Sequence, residues 1–347
     1  MSRYFLQHID RMAGYAPGEQ PRDGGFVKLN TNENPYPPSP RALEAIATAL
    51  GDRLRLYPDP VATRFRAAAA ALHGVEPEMI LAGNGSDDLL TIVTRAFAAP
   101  GDAVICPTPS YILYQTLVEL QNARVAAVEY SPTWELDPRA FAVPGARLAF
   151  LANPNSPSGT CLAPDEVAEL AARLECPLIV DEAYADFAET HCVSLVNEHP
   201  NVIVTRSFSK GYSLAGLRLG YLVAQPEIVA GLIKVKDSYN CGTLDLAAGT
   251  AALEDQKHLA ATRTRILATR RRLTDAVRQL GYEVPDSSAN FVWCTGGPPA
   301  ATIYQELKNR RILVRLMRYP GHPDGLRITV GTDAEIDHLL DALRTLV

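Results

Sequence analysis

The run Ser-Phe-Ser-Lys-Gly-Tyr-Ser-Leu-Ala-Gly-Leu-Arg-Leu-Gly-Tyr at residues 207–221 sets one lysine among small hydroxyl residues, with an arginine eight positions on. A free lysine has a pKa of about 10.4 and is a poor nucleophile at neutral pH, so a lysine with a chemical task needs a site that holds its amine as an imine. Lys210 is the candidate. An isolated lysine in a Ser/Gly loop is simply solvated, so its chemistry depends on what the rest of the chain brings beside it.

Two further segments supply that company, and each follows a short apolar run that reads as a buried strand. Residues 147–152 lead into Asn-Pro-Asn-Ser-Pro-Ser-Gly at 153–159, and residues 177–180 lead into Asp-Glu-Ala-Tyr at 181–184. Residues 202–205 lead into Ser207 and Lys210. The spacing predicts strand, helix, strand. Such crossovers make neighbouring strands parallel, which gathers all three carboxyl ends on the sheet edge where open α/β proteins bind ligands.

Pyridoxal 5'-phosphate needs a lysine for its Schiff base and an acid facing its pyridine nitrogen. Asp181 supplies the acid, since a carboxylate beside a pyridinium keeps the ring protonated and able to accept electrons from a substrate Cα. Tyr184 is placed to hydrogen-bond the phenolic oxygen, and Lys210, once displaced by a substrate amine, becomes the base that moves the proton. For the phosphate, the segment Gly-Asn-Gly-Ser-Asp-Asp at 83–88 reads as a glycine turn entering an amphipathic helix. The first amides, at Gly85, Ser86 and Asp87, face a phosphate on this reading. A helix terminus contributes only about 0.3 to 2 kcal/mol to an anion, so side chains are expected to add to it. Ser207, Ser209 and Arg218 are those residues, Arg218 because its planar fork meets two oxygens at once. Asp87 and Asp88 place negative charge beside the proposed anion.

With these segments in hand the chain resembles the pyridoxal-phosphate aminotransferases of the aspartate-aminotransferase fold, and within them the histidinol-phosphate aminotransferases. The resemblance also covers Leu-Asn-Thr-Asn-Glu-Asn-Pro-Tyr at 29–36, Tyr-Pro-Asp at 57–59, Pro-Ser-Tyr-Ile-Leu-Tyr at 109–114, Ser-Ala-Asn-Phe at 288–291 and Leu-Arg-Ile-Thr-Val-Gly-Thr at 326–332. It implies an α/β fold with a large, mostly parallel mixed sheet flanked by helices, plus a smaller α+β domain. It also implies that Lys210 carries the cofactor, that Asp181 pairs with the pyridine nitrogen, that Tyr184 bonds the phenolic oxygen and that Tyr111 stacks on the ring. Tyr57 matches a tyrosine that reaches the neighbouring subunit's cofactor phosphate, which implies a homodimer with shared active sites. Arg327 matches the arginine that holds the substrate's acidic group, and Arg315, Tyr15 and Asn32 are expected to line the same end.

One position departs from the family. Where the pattern is Asn-Asn-Pro-Thr-Gly, this chain has Asn-Ser-Pro-Ser-Gly at 155–159, so Ser156 stands where an asparagine normally bonds the phenolic oxygen. A hydroxyl is shorter and either donates or accepts. The contact is therefore expected to pass through water or to fall to Tyr184, with Asn155 as a second cofactor-side residue.

In this family the reaction passes an amino group between L-histidinol phosphate and 2-oxoglutarate or glutamate, both carrying anions that two arginines can receive. That logic does not choose imidazole over phenyl. An aromatic amino-acid aminotransferase and, further off, a threonine-phosphate decarboxylase remain alternatives on the same scaffold. A non-catalytic binding protein would have lost the lysine, the acid or the phosphate anchor, and all three are present.

Composition agrees with such an enzyme. The chain has 347 residues, 47% hydrophobic and 21% charged, and a net charge of -6, which gives no sign of nucleic-acid binding. The run of arginines at 263, 265, 270, 271 and 272 is expected to be a solvated helix face. No apolar stretch is long enough for a membrane helix and residues 1–11 are too polar for a secretory signal, so cytoplasm is the expectation. The six cysteines form no Cys-x-x-Cys pair and the histidines no metal spacing. The expected domains are 39–240, opening on a Ser39 cap and Pro40 at the first helical position, and 1–38 with 241–347, which contains a long helical region at 243–280.

Overall fold

The fold, a computed structural model, describes residues 3–15, 17–21 and 24–347. Its main sheet has seven strands: β1 (Ile80–Gly83), β2 (Ala103–Thr108), β3 (Arg124–Glu129), β4 (Ala146–Ala152), β5 (Leu178–Asp181), β6 (Val202–Ser207) and β7 (Gly220–Val223). They lie in the order β1-β7-β6-β5-β4-β2-β3. β7 runs antiparallel to both of its neighbours, and the other pairings are parallel. This is the large, mostly parallel mixed sheet the sequence implied, and the carboxyl ends of β1, β4, β5 and β6 share one edge.

The strand sequences explain their position. β5 and β6 read Leu-Ile-Val-Asp and Val-Ile-Val-Thr-Arg-Ser and are buried along their whole length, as expected of strands covered on both faces. One face packs a core around Phe65, Ala149, Val180, Val204 and Tyr221, the other a core around Leu89, Leu90, Phe150, Ile179 and Ile203. Helix α1 (Ser86–Phe97) supplies Leu89, Leu90 and Val93 to the second of these from one face of its turn.

Three further strands, β8 (Phe291–Cys294), β9 (Arg315–Met317) and β10 (Gly325–Thr329), form an antiparallel sheet ordered β9-β10-β8. It packs with α2 (Gln256–Gln279) and with Leu29 and Tyr36 in a separate core. Val27–Lys28 pairs with Ile312–Leu313, which ties the early residues to this part of the chain.

Packing differs from the sequence expectation in two places. The helical region expected at 243–280 breaks into Thr243–Leu253 and α2. At the break the Asp255 carboxylate accepts from His258 N and from Ser39 Oγ, so it caps α2 and ties it to the start of the helix Pro40–Ala49. Cys241, Ala248, Ala252 and Leu253 all pack in the large-sheet core, so this core runs past the expected boundary at 240. The arginine run is only in part a solvated face: Arg265 and Arg271 are exposed, but others make inward contacts. Arg263 donates to the carbonyls of Asp186 and Ala188, Arg270 to those of Phe187 and Ala289, and Arg265 lies 3.8 Å over the Tyr36 ring. The contacts to Asp186, Phe187 and Ala188 lash α2 to the segment that follows β5. Among the described residues no helix is long and apolar enough to cross a membrane, and no group of three or more His, Cys, Asp or Glu is arranged to hold a metal ion.

A Cβ at Gly220, in β7, would meet Ser86 N at 2.7 Å, the Arg206 carbonyl at 2.8 Å and Gly85 C at 2.9 Å, all of them backbone atoms. Gly220→Ala should therefore cost about 1–3 kcal/mol through overpacking, read as a lower midpoint in thermal or urea unfolding. Gly216→Ala, where nothing lies within 4 Å, is the control and should melt within about 0.5 kcal/mol of the parent. Equal melting of the two variants would remove the close approach from the account of the fold.

Candidate active site

The carboxyl edge of the large sheet opens into a cavity of about 340 Å³, lined by residues from five strand ends, by early residues from Tyr15 to Glu33 among those described, and by the small sheet. Asp181 ends β5 and is 4% exposed. Tyr114 donates to its Oδ2 at 2.8 Å and Thr205 to its Oδ1 at 3.0 Å. Burial raises its pKa to about 6, and those two hydrogen bonds pull in the opposite direction.

Lys210 lies three residues beyond the end of β6. Its Nζ donates to the Thr31 carbonyl at 3.0 Å and sits 5.7 Å from the centre of the Tyr184 ring. Burial, with Arg327 nearby, lowers its pKa to about 8, against an opposing pull from Glu33 and Asp87. A substantial fraction of the amine is therefore neutral near pH 7.5, which is the state a nucleophile or base requires. Tyr184 OH accepts from Asn32 Nδ2 at 2.9 Å, and burial pushes its pKa upward. It therefore stays a phenol and keeps its own hydrogen to donate.

At the other end of the cavity, Gly85 caps α1 with φ +86. A Cβ there would meet Arg218 Nη2 at 2.9 Å, so glycine makes room for the guanidinium as well as for the left-handed turn. Arg218 donates to Ser209 Oγ at 3.3 Å and faces Asp87 at 3.5 Å. The first amides of a helix have no intrahelical acceptor, and here they open beside Ser86, Ser207, Ser209 and Arg218, which all line the cavity. Asp87 also accepts from Tyr111 OH at 3.2 Å. The Asp88 carboxylate is taken up by Asn84 N and Asn240 Nδ2, so of the two acids Asp87 is the one at the cavity.

The third wall carries Arg315 and Arg327, directly opposite each other on β9 and β10. Like charges in facing positions are unfavourable, so this pair marks a place for an anion. Arg327 donates to Ser156 Oγ at 2.9 Å and to the Asn30 carbonyl at 3.3 Å, while its Nε is buried with no acceptor. Arg315 donates to the Pro17 carbonyl. Tyr15 stands edge-on to Tyr111 at 6.1 Å at the rim.

The structure brings together Lys210, Asp181, Tyr184, Ser86, Asp87, Tyr111, Ser156, Ser207, Ser209, Arg218, Tyr15, Arg315 and Arg327. Two other expected residues are not on the lining. Asn155 does not line the cavity, because its amide and carbonyl are engaged by the Pro109 carbonyl, Ser158 and Ser110. Asn32 stands behind the wall, 1% exposed, with its side chain shared between Tyr184 and Thr329. Tyr57 lies apart from this chain's cavity, 80% exposed and stacked on Tyr239 at 4.3 Å. Sequence reasoning missed the supports of the acid, Tyr114 and Thr205, although a polar residue in a buried strand already calls for a partner. It also missed the Thr31 carbonyl, which no side-chain pattern announces.

The cofactor implied by the sequence fits these walls. A buried carboxylate without a cationic partner among the described residues, and a glycine-cleared helix start beside an arginine, are each complementary to one part of it.

The family model for aminotransferase class I and II matches residues 25–343. The chain is 50% identical over 333 residues to the histidinol-phosphate aminotransferase of Rhodopirellula baltica, covering 95% of this chain and 92% of that one. It is 46% identical over 351 residues to histidinol-phosphate aminotransferase 1 of a Nostoc species, covering 100% of this chain and 99% of that one. Among solved structures, the histidinol-phosphate aminotransferase of Sinorhizobium meliloti in complex with pyridoxal-5'-phosphate superposes with a TM-score of 0.90 at 28% identity, covering 100% of this chain and 99% of that one.

Two measurements on cofactor-free protein test the electrostatics. Modification of Lys210 by an amine-acylating reagent, followed by peptide mass mapping, should reach half its maximal rate near pH 8, whereas solvated lysines do so near their ordinary pKa of about 10.4. A Lys210 midpoint at that ordinary value would contradict the burial. Asp181 has a folded pKa near 6 against 3.8, so the folded state binds the extra proton between those values and loses stability as pH rises through them. Asp181→Asn should therefore be more stable than the parent above pH 6, by on the order of 1–3 kcal/mol. Urea unfolding at pH 4 and pH 8 checks this, and an advantage of equal size at both would count against it.

Proposed function

The chain belongs to the class I and II aminotransferases, and we propose that it moves an amino group between L-histidinol phosphate and 2-oxoglutarate, as in histidine biosynthesis. It is an enzyme with pyridoxal 5'-phosphate as cofactor. The observation that carries the reading is the meeting of the Lys210 amine and the Asp181 carboxylate in one cavity from adjacent parallel strands, opposite a facing pair of arginines.

When bound, the cofactor supplies an electron-accepting ring that stabilises the negative charge left on a substrate Cα by loss of its proton. Asp181, held by Tyr114 and Thr205, would serve the pyridine nitrogen, where a positive partner favours its ionised form. Tyr184 would donate its phenolic hydrogen to the ring oxygen. The α1 amides with Ser207, Ser209 and Arg218 would hold the phosphate, and Tyr111 would pack against the ring. Lys210 Nζ, neutral in a useful fraction at working pH, would take the proton from the substrate Cα. The Thr31 carbonyl gives that amine a resting partner.

Arg327 and Arg315 receive the anionic end of either substrate, so one pocket serves donor and acceptor in turn. A ligand without the anion leaves the buried Arg327 Nε without an acceptor, which costs more than a misfit in the apolar part. The exposed Tyr57, apart from its own cavity, suits a role at the phosphate of a second copy, in a homodimer with shared active sites acting in the cytoplasm.

An amino-donor panel with 2-oxoglutarate tests the assignment. Histidinol phosphate should exceed phenylalanine, tyrosine and aspartate in kcat/KM by at least about tenfold, and histidinol, which lacks the phosphate, should lose at least about a hundredfold. Lys210→Ala should retain the fold by circular dichroism and abolish turnover. Preference for phenylalanine would replace the substrate assignment with an aromatic amino acid.

A further inference from the structure

Ser156 is 2% exposed on the loop after β4, and its Oγ accepts from Arg327 Nη1 at 2.9 Å. The Arg327 side chain is long and loses much rotamer freedom when fixed. Its fork has two hydrogen-bond anchors, Ser156 Oγ and the more distant Asn30 carbonyl, it lies 5.2 Å from the centre of the Phe291 ring, and its Nε lacks an acceptor. The Tyr184 phenol keeps a hydrogen for the ring oxygen because its own acceptor position is filled by Asn32. The ring end of the cavity thus has a donor independent of Ser156, whereas the anion end depends on Ser156 for its shorter contact.

We infer that Ser156 is a positioning residue for substrate-anion recognition. It fixes the plane of the Arg327 guanidinium, so that the remaining N–H groups meet the anion already aligned. Work at the cofactor's phenolic oxygen is left to Tyr184. This rests on the proposed role of Arg327 as the residue that receives the substrate's acidic group. A hydroxyl is enough for the task, since only one acceptor oxygen is required and the arginine supplies the charge. Preorganisation of this kind acts on ligand binding more than on the chemical step.

The holoenzyme is titrated with succinate, a dicarboxylate with no amino group to transfer, and binding is read from the cofactor's visible absorbance. The same absorbance is followed against pH without ligand. Ser156→Ala should weaken succinate binding about tenfold while moving the absorbance midpoint by less than about 0.3 pH unit. Ser156→Thr, which keeps the hydroxyl, should bind within about twofold of the parent. In Arg327→Ala the further change Ser156→Ala should add nothing, as coupling through one partner requires. A midpoint shift of about a full unit with succinate binding intact would place Ser156 at the ring and overturn the inference, as would additive losses in the double variant. Succinate carries no imidazole, so an error in the amino donor leaves each of these comparisons standing.

Discussion

The register between β5 and β6 is the constraint on which the rest of the site depends. Asp181 pairs with Thr205 across that ladder, and the two side chains are therefore neighbours on one face, close enough for Thr205 to donate to the carboxylate. The next residue along each chain faces the other way: Glu182 and Arg206 form a buried ion pair, and Arg206 also binds Asp186. A slip of one residue would exchange the two acids between cavity and core. Each carboxylate is matched to its own side, Asp181 to two neutral hydroxyl donors and Glu182 to a guanidinium, so the slipped pairing would bury charges without partners.

Burial then gives the site its chemistry. The same withdrawal from water moves Lys210 down and Asp181 up, bringing an amine and an acid toward neutrality from opposite directions. Opposed shifts of this sort in a single cleft are a mark of catalytic pairs. The surrounding fixed charges refine the balance. Arg327 pushes the lysine further down, while Glu33 and Asp87 restrain it. Glu33 is itself held anionic by Lys28 and Thr31 against its burial.

Much of this could be read from the chain because strand ends advertise themselves. Apolar runs that stop at Asn153, Asp181 and Ser207 state both the sheet and its functional edge, and the glycine turn before Ser86 states a helix start. Direction within a loop is another matter. Asn155 and Ser156 are adjacent, yet one turns into the protein and the other to the cavity, and spacing contains nothing that separates them. Asn32 was legible as a polar residue near the site but not as a support, since its partners Tyr184 and Thr329 lie far away in sequence. Arg263 and Arg270 of α2 misled for a related reason: their acceptors are backbone carbonyls, which leave no trace in residue identity.

Lys210 and Arg218 belong to a single connection between β6 and β7, closed on itself by Phe208 N to Leu219 O, Leu214 N to Phe208 O and Ser213 N to Lys210 O. That loop works as a calliper, with the amine on one jaw and the guanidinium on the other. Its opening depends on the number of residues bent between them, with Thr31 steadying the amine and Asp87 the guanidinium. Insertion of a single residue there would rescale the gap, whereas loops that carry only one jaw are free to vary in length.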